Sequence, residues 1–326
     1  MRAEAQARVR IVVGEPPAEL DALVATAGGS FFQSAAWLRA VARAAPEYEP
    51  SVLLAETDGI TAACPLLRRR RWGTSWFYAG AWGTYGGILS RDADAATAVQ
   101  ARLLRLAIEP RVLCIRVHDF AGTLPDAPPW RRAPESCHVL DLPADASVLW
   151  DSAFTSQNRN KIRKAEKLGV VVRRARDAAA FASYAALYRE SAARWGTDRT
   201  LPIALFDALA DAHPGVDVWL AEHQGEAIAA LLNFTCGGQV MNWGNVSRRA
   251  SWNLSPNNLL HWRALQAACA DAAGPRLYNF GSSAGLPGVE TFKSAFGARE
   301  HIYMRREAGP AWVARLQRGR LDPNRR

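Results

Sequence analysis

Lys293 is the residue from which the chemistry of this chain is most directly read. The 326-residue chain carries 40 Lys and Arg together, and only four are lysine: Lys161, Lys164, Lys167 and Lys293. A chain that writes nearly every cation as arginine and keeps lysine here points to a need for a compact, mobile ammonium over a flat fork. A surface lysine on a short helix is the plainer alternative. The surrounding stretch, RLYNFGSSAGLPGVETFKSAFGAREHIYM (276–304), gives Lys293 its setting. Arg276–Phe280 reads as a strand ended by Gly281. A Ser/Gly/Pro loop follows, then a helix over about Val289–Phe296 stopped by Gly297, and a strand over Arg299–Arg306.

The basic residues cluster. In Asn158–Gly169, a helical spacing puts Arg159, Arg163 and Lys167 on one face, either solvated or in contact with phosphate. Arg194 lies near the end of a helix over Ala178–Trp195, where a cation either satisfies the helix dipole or meets a ligand. Asn242 and Trp243 sit on a strand, and core packing is the plain reading for Trp243. Arg68–Arg71 fall in a loop after the first hairpin.

Net charge is +9 and the isoelectric point about 9.7, which suits phosphate-rich partners without choosing among them. The five cysteines are scattered, odd in number and without metal spacing, so a reduced cytoplasmic protein with no metal site is expected. No apolar run approaches a membrane span, and MRAEAQARVR lacks the apolar core of a signal peptide. The Ala/Arg-rich, Lys-poor composition suggests a GC-rich bacterial source.

The elements that must position these residues come in two similar series. Helices precede a hairpin at Val52–Glu56 and Ile60–Arg68, and again at Val218–Glu222 and Glu226–Thr235. At an offset of 166, residues 52–66 match residues 218–232 at seven of fifteen positions, including a shared Ala-Glu-x-x-Gly. The series predicts an α/β protein of two tandem duplicated domains, each a mixed sheet flanked by helices. Expected boundaries are 1–145, 146–306 with the catalytic site, and 307–326 as a C-terminal helix and basic tail.

Tyr278-Asn279-Phe280-Gly281, a small-residue loop, then Phe292-Lys293-x-x-Phe296-Gly297 resembles the C-terminal signature of the Fem-type aminoacyltransferases of the acetyltransferase-like (GNAT) superfamily. Typical members carry Asp where this chain has Asn279. Gln33-Ser34-Ala35-Ala36-Trp37 resembles their Gln-Ser-x-x-Trp, and the basic helix from Asn158 and the helix-end Arg194 resemble theirs. The family Lys four residues after the Trp is Val41 here, which puts a nucleotide-linked cell-wall precursor in doubt as acceptor.

The resemblance implies two GNAT-like domains and transfer of an aminoacyl group from aminoacyl-tRNA to an amine of a small-molecule, peptide or cell-wall precursor acceptor, with no cofactor. It implies Lys293 as the cation for the oxyanion, and Arg194, Trp243, Asn242, Asn279 and Phe292 as substrate-binding residues. It also implies Arg159, Arg163 and Lys167 as contacts for tRNA phosphate. In such proteins the C-terminal tail can pack back on the first domain. Acyl-CoA is the alternative donor. The segment that would cradle its diphosphate, Asn253–Leu260, has no glycine, while Ser255 can cap and Pro256 can open a helix. A non-catalytic binding protein on the same fold is the third reading. DNA is not an expected partner, and the oligomeric state is open. The expected site is a channel lined by Trp243, Asn279, Phe292 and Lys293, bordered by Arg194, with the basic helix at one mouth.

Overall fold

The computed structural model describes residues 8–57, 59–195, 200–211, 215–271, 274–310 and 312–313. The expected basic tail from residue 314 onward lies outside the described residues. The chain forms two compact units. Unit 1 holds residues 1–135 and 302–326, and unit 2 holds 136–301. The expected division at 145 therefore falls ten residues late, because the end of strand Arg131–Asp141 pairs within unit 2. The chain returns to unit 1 after residue 301, so residues 302–306, expected in the second domain, fall in unit 1.

Unit 1 contains β1 (Arg8–Val13), α1 (Leu20–Thr26), α2 (Ala35–Ala44), β2 (Tyr48–Glu56), β3 (Ile60–Arg71), β4 (Thr74–Ala79), β5 (Leu89–Ser90), α3 (Ala93–Ala107) and β6 (Val112–Asp119). The strand β7 (Arg131–Asp141) follows. Unit 2 continues with α4 (Ala146–Val148), a π turn (Leu149–Ala153), α5 (Ser156–Lys167), β8 (Val171–Ala175), α6 (Ala178–Trp195) and α7 (Ala204–Ala210). Then come β9 (Val216–His223), β10 (Glu226–Cys236), β11 (Gln239–Ser247), α8 (Pro256–Ala270), β12 (Leu277–Asn279) and α9 (Pro287–Ser294), and the chain returns to unit 1 along β13 (Arg299–Ala308). Strand order is β1-β2-β3-β4-β6-β13 in unit 1, with β5 on β3, and β7-β12-β11-β10-β9-β8 in unit 2.

Local chemistry sets the element ends. Ser34 caps α2 by accepting from Trp37 N at 3.0 Å, and Asp92 caps α3 by accepting from Asp94 N and Ala95 N. Val99, Leu103 and Leu106 then bury one face of α3 against the unit 1 sheet. Thr155 caps α5, which buries Ile162 and Ala165 on α8. In unit 2 the core includes Leu231, Leu260, Leu265, Tyr278 and Phe296, each at most 1% exposed. Burial of one such side chain stabilises by roughly 1.5–3 kcal/mol.

Two local expectations change. Arg68–Arg71 are not a loop but the end of β3, paired with Thr74–Phe77 of β4; the turn is Trp72-Gly73, both at positive φ. The hairpin repeat also slips along its second strand. Ala55 pairs with Ala62, seven positions on, whereas Ala221 pairs with Ala229, eight positions on. The unit 2 hairpin is one residue longer, so Ala62 corresponds to Ala229 and the 166 offset holds only for the first strands.

Candidate active site

The site grows from the place where two parallel strands of unit 2 part. β11 and β12 pair only at Gln239–Leu277, Val240–Tyr278 and Met241–Asn279. β12 stops there, while β11 runs on to Ser247 paired with β10 alone. At the same point β11 is bulged: Leu232 pairs with Gly244 and Asn233 with Asn242, so Trp243 is the extra residue. A bulge re-aims side chains and bends its strand. The β11 edge from Asn242 to Ser247 is therefore left without a strand on the β12 side.

Unit 1 closes its equivalent gap. β4 and β6 run parallel to Ala79–Val117, and the chain then loops back so that Gly86 N donates to His118 O at 2.9 Å. Tyr85, 3% exposed, stacks on Phe120 with centroids 4.7 Å apart. Gly86 is needed because a Cβ would meet the Ala79 Cβ at 2.5 Å. The Gly83–Gly87 run thus plugs the first sheet, and the open edge belongs to unit 2.

Lys293 lies beside that edge. It is 5% exposed, and its Nζ donates to Gly281 O at 2.7 Å and Ser282 O at 2.8 Å. Both acceptors are carbonyls of the loop that continues β12. Burial drives the ammonium down to about 8, against which Cys137 and Glu290 act weakly upward. An ammonium has three donors, so one remains beyond these two bonds. Asn279, fully buried, accepts from Gly281 N at 2.8 Å and shapes the turn that presents the Gly281 carbonyl. An Asp carboxylate at this position could accept the same bond.

Behind the edge runs a buried polar chain that sequence reasoning did not find. Asn242 Nδ2 donates to Asn233 Oδ1 at 2.8 Å, and Asn233 Nδ2 lies 3.4 Å from the Tyr278 hydroxyl. That hydroxyl is 3.1 Å from His261 Nδ1, and His261 Nε2 is 3.2 Å from the Asn245 amide. His261 is 1% exposed, and desolvation, helped by Lys293, holds it down to about 3. The ring is neutral and has one N–H. With the Tyr278 hydroxyl donating to Nδ1, that N–H sits on Nε2 and needs an acceptor. Turning the Asn245 amide supplies its Oδ1, which is otherwise a buried oxygen with no partner. A second buried pair, His138 Nδ1 and Ser283 Oγ at 3.2 Å, flanks the same loop, and burial followed by the nearby Lys293 lowers the His138 pKa. These residues come from β7, β10, β11, β12, α8 and the loop, so no local spacing announces them; only buried polar types inside apolar runs could have.

The other expected residues fall as follows. Phe292 is half-buried against His261 and Phe296, and Trp243 packs edge-on to Phe234. Arg194 lies at the far end of the open edge, donating to Ser247 O at 2.8 Å as well as to Glu190 O and Ser191 Oγ. Lys293 and Arg194 thus bracket the stretch Asn242–Ser247. On α5, Arg159 ties the carbonyls of Trp150 and Phe154 at 2.9 and 2.7 Å, Arg163 lies over the Trp150 ring, and Lys167 is exposed. Val41 is fully buried, so the position of the family Lys faces the core of unit 1. Ser255 does not cap α8; it takes φ +55° and its side chain makes no cap bond. The first turn of α8 is a poor anion cradle: Pro256 has no N–H, and Asn258 N donates to Ser255 O.

Among the described residues, no helix is long and apolar enough to cross a membrane, and no group of three His, Cys, Asp or Glu could hold a metal. Residues 152–294 match the acetyltransferase (GNAT) domain family. No curated protein sequence matches the chain. Among solved structures, FemX superposes with a TM-score of 0.70 at 14% identity, covering 90% of this chain and 96% of FemX. L-PGS from Bacillus licheniformis gives 0.61 at 12% identity, covering 95% and 98%. A conserved protein of unknown function from Bacteroides thetaiotaomicron gives 0.61 at 12%, covering 92% and 99%. The mixed sheets flanked by helices, the parting of β11 and β12 and these likenesses agree: the chain has the GNAT-like fold that FemX shares, and its residues 152–294 match the GNAT domain family.

Proposed function

We propose that the protein is an acyltransferase that moves an aminoacyl group from aminoacyl-tRNA to the amine of a small-molecule or peptide acceptor, forming an amide. The observation that carries this reading is Lys293, a buried ammonium bonded to two loop carbonyls beside the open edge of β11. The donor ester is already activated, so the attacking amine is the nucleophile and no nucleophilic side chain is required. What the protein supplies is position and charge stabilisation. The amine nitrogen attacks the ester carbonyl, and the oxygen of that carbonyl takes the negative charge. The remaining Lys293 N–H is a donor for this oxyanion. The C–O bond to the tRNA ribose then breaks, the ribose oxygen takes a proton, and the new amide nitrogen gives one up.

The donor assignment rests on the resemblance to Fem-type enzymes and on the first turn of α8. A Pro without N–H and an Asn N–H already bonded leave little for a coenzyme A diphosphate. A net charge of +9 suits an RNA donor. The test offers purified protein a panel of charged tRNAs and, separately, acetyl-CoA, with a library of amines. Amide formation that needs charged tRNA supports the reading. Turnover of acetyl-CoA with no use of any charged tRNA overturns it.

A further inference from the structure

Past the open edge, β11 ends at Ser247, and a 3-10 turn (Arg249–Leu254) leads into α8. Trp252 in that turn is 53% exposed, an unusual place for so large an apolar side chain. It is also held. Its Nε1 donates to Ser247 Oγ at 2.9 Å, and Asn257 Nδ2 reaches the same hydroxyl at 3.4 Å. Two guanidinium groups flank the ring, Arg194 at 5.9 Å and Arg249 at 6.0 Å from its centroid. Arg194 is fixed by the Ser247 and Glu190 carbonyls and the Ser191 hydroxyl, so none of these bonds neutralises its charge. Arg248, one residue from Arg249, is by contrast paired with Glu190 and Glu226. Among the described residues, the turn therefore separates one arginine paired with carboxylates from two exposed ones that have none near the held ring.

A held indole near two cations that have no carboxylate partner among the described residues matches the chemistry of a single-stranded nucleic acid: a base stacks on the ring while neighbouring phosphates meet the arginines. An apolar partner would have to desolvate the two guanidinium groups without pairing them, and a duplex would hide its base faces. The place also fits. Asn242, at the start of the open edge, and Ser247 are five residues apart on one strand, about 16 Å at ~3.3 Å per residue. A chain entering over Trp252 would thus reach Lys293 with its end.

We propose that Trp252, flanked by Arg194 and Arg249, is the platform on which an unpaired base near the 3′ end of the donor RNA stacks. This rests on the aminoacyl-tRNA reading for its biological ligand, but it is tested by binding alone. The probe is a short fluorescent single-stranded RNA ending in CCA, followed by anisotropy, with the same RNA as a blunt duplex for comparison. Trp252→Ala should weaken single-strand binding by roughly 10–100-fold, the scale of one lost base stack. Trp252→Tyr should recover most of it. Arg249→Gln should lower the salt slope by about 0.7, the value for one phosphate on a single strand.

Failure of wild type to bind the single strand overturns the platform. So does equal binding by Trp252→Ala, an equal loss for the duplex, or displacement of the RNA by acetyl-CoA. The two readings fail separately. If the RNA binds through Trp252 but no amide forms from charged tRNA, the platform stands and the reaction does not. If charged tRNA is consumed and Trp252→Ala leaves both KM for that tRNA and RNA binding unchanged, the reaction stands and the platform does not.

Discussion

Lys293 Nζ and Gly281 O lie 2.7 Å apart, so the candidate catalytic cation and the loop that continues β12 form one unit. The ammonium orders the loop, and the loop fixes the ammonium in a place where burial disfavours its charge. Removing the charge should therefore affect catalysis far more than fold. Lys293→Ala should cut turnover by roughly 10²–10³-fold, the scale of one lost oxyanion donor. Near-wild-type turnover in a folded variant would remove Lys293 from the mechanism.

The same group sets a pH dependence. Only the protonated form keeps a positive charge and a third N–H beyond the two bonded to Gly281 O and Ser282 O, and the folded pKa is about 8, so turnover should fall as pH rises through 8. Lys293→Arg, charged throughout that range, should be slower but lose this alkaline limb. Stability moves the other way. The ordinary lysine value is 10.5, so between about 8 and 10.5 the unfolded chain holds more protons and stability rises with pH. The Tm of Lys293→Met, measured over that window, should lack this rise relative to wild type.

His261 gives the acid counterpart. Its folded value is about 3 and its ordinary value 6.5, so the unfolded chain binds the extra proton between them. That contribution to stability is present above 6.5 and is lost as pH falls toward 3. His261→Gln should cost about 1–3 kcal/mol at pH 7, the range for disturbed buried hydrogen bonds. In urea titrations the gap to wild type should narrow by pH 4. A gap that stayed constant would mean that the imidazole is not the titrating group.

Much of the fold was legible because apolar periodicity and caps are local. The helix Ala178–Trp195 has the bounds its pattern predicts. The strand β8 was missed because it is an edge: Val171 is 63% exposed, and Arg173, Arg174 and Arg176 pair with Glu222 and Asp217. Its residues thus look like a polar loop. Arg68–Arg71 misled in the same way. In the site, Lys293 stood out by rarity, a signal a single sequence can carry. Asn242 is named through the family resemblance, but its link through Asn233, Tyr278 and His261 to Asn245 could not stand out, because it exists only once β10, β11, β12 and α8 are assembled. Arg159 shows the converse: helical spacing placed it on a basic face, while its guanidinium also ties two backbone carbonyls, which spacing does not encode.

Gly244 on β11 makes the bulge compatible with α6. A Cβ there would fall 1.9 Å from the hydroxyl of Tyr184, a fully buried side chain of α6. Gly244→Ala should destabilise by about 1–3 kcal/mol through overpacking. Adding Tyr184→Phe removes the clashing oxygen and should restore a large part of that loss. If the two changes were simply additive in chemical denaturation, the contact would not be the cause.

Gly281 ties the backbone conformation of the loop to the position of Lys293. Its φ is +73°, and its carbonyl accepts from both Lys293 Nζ and His138 N. A Cβ would stand 3.3 Å from Asn242 O, in the gap where β11 and β12 part. Gly281→Ala therefore faces two costs: about 1–2 kcal/mol for a left-handed alanine, and a shift of the carbonyl that anchors Lys293. Gly285, in the same loop, isolates the first cost, since its φ is +69° and a Cβ there would meet nothing within 4 Å. In thermal melts Gly281→Ala should lose at least as much stability as Gly285→Ala. Turnover should fall at least tenfold more in Gly281→Ala than in Gly285→Ala, the order expected when an oxyanion donor is displaced. Equal turnover in the two variants would show that the Gly281 carbonyl does not position the ammonium for chemistry.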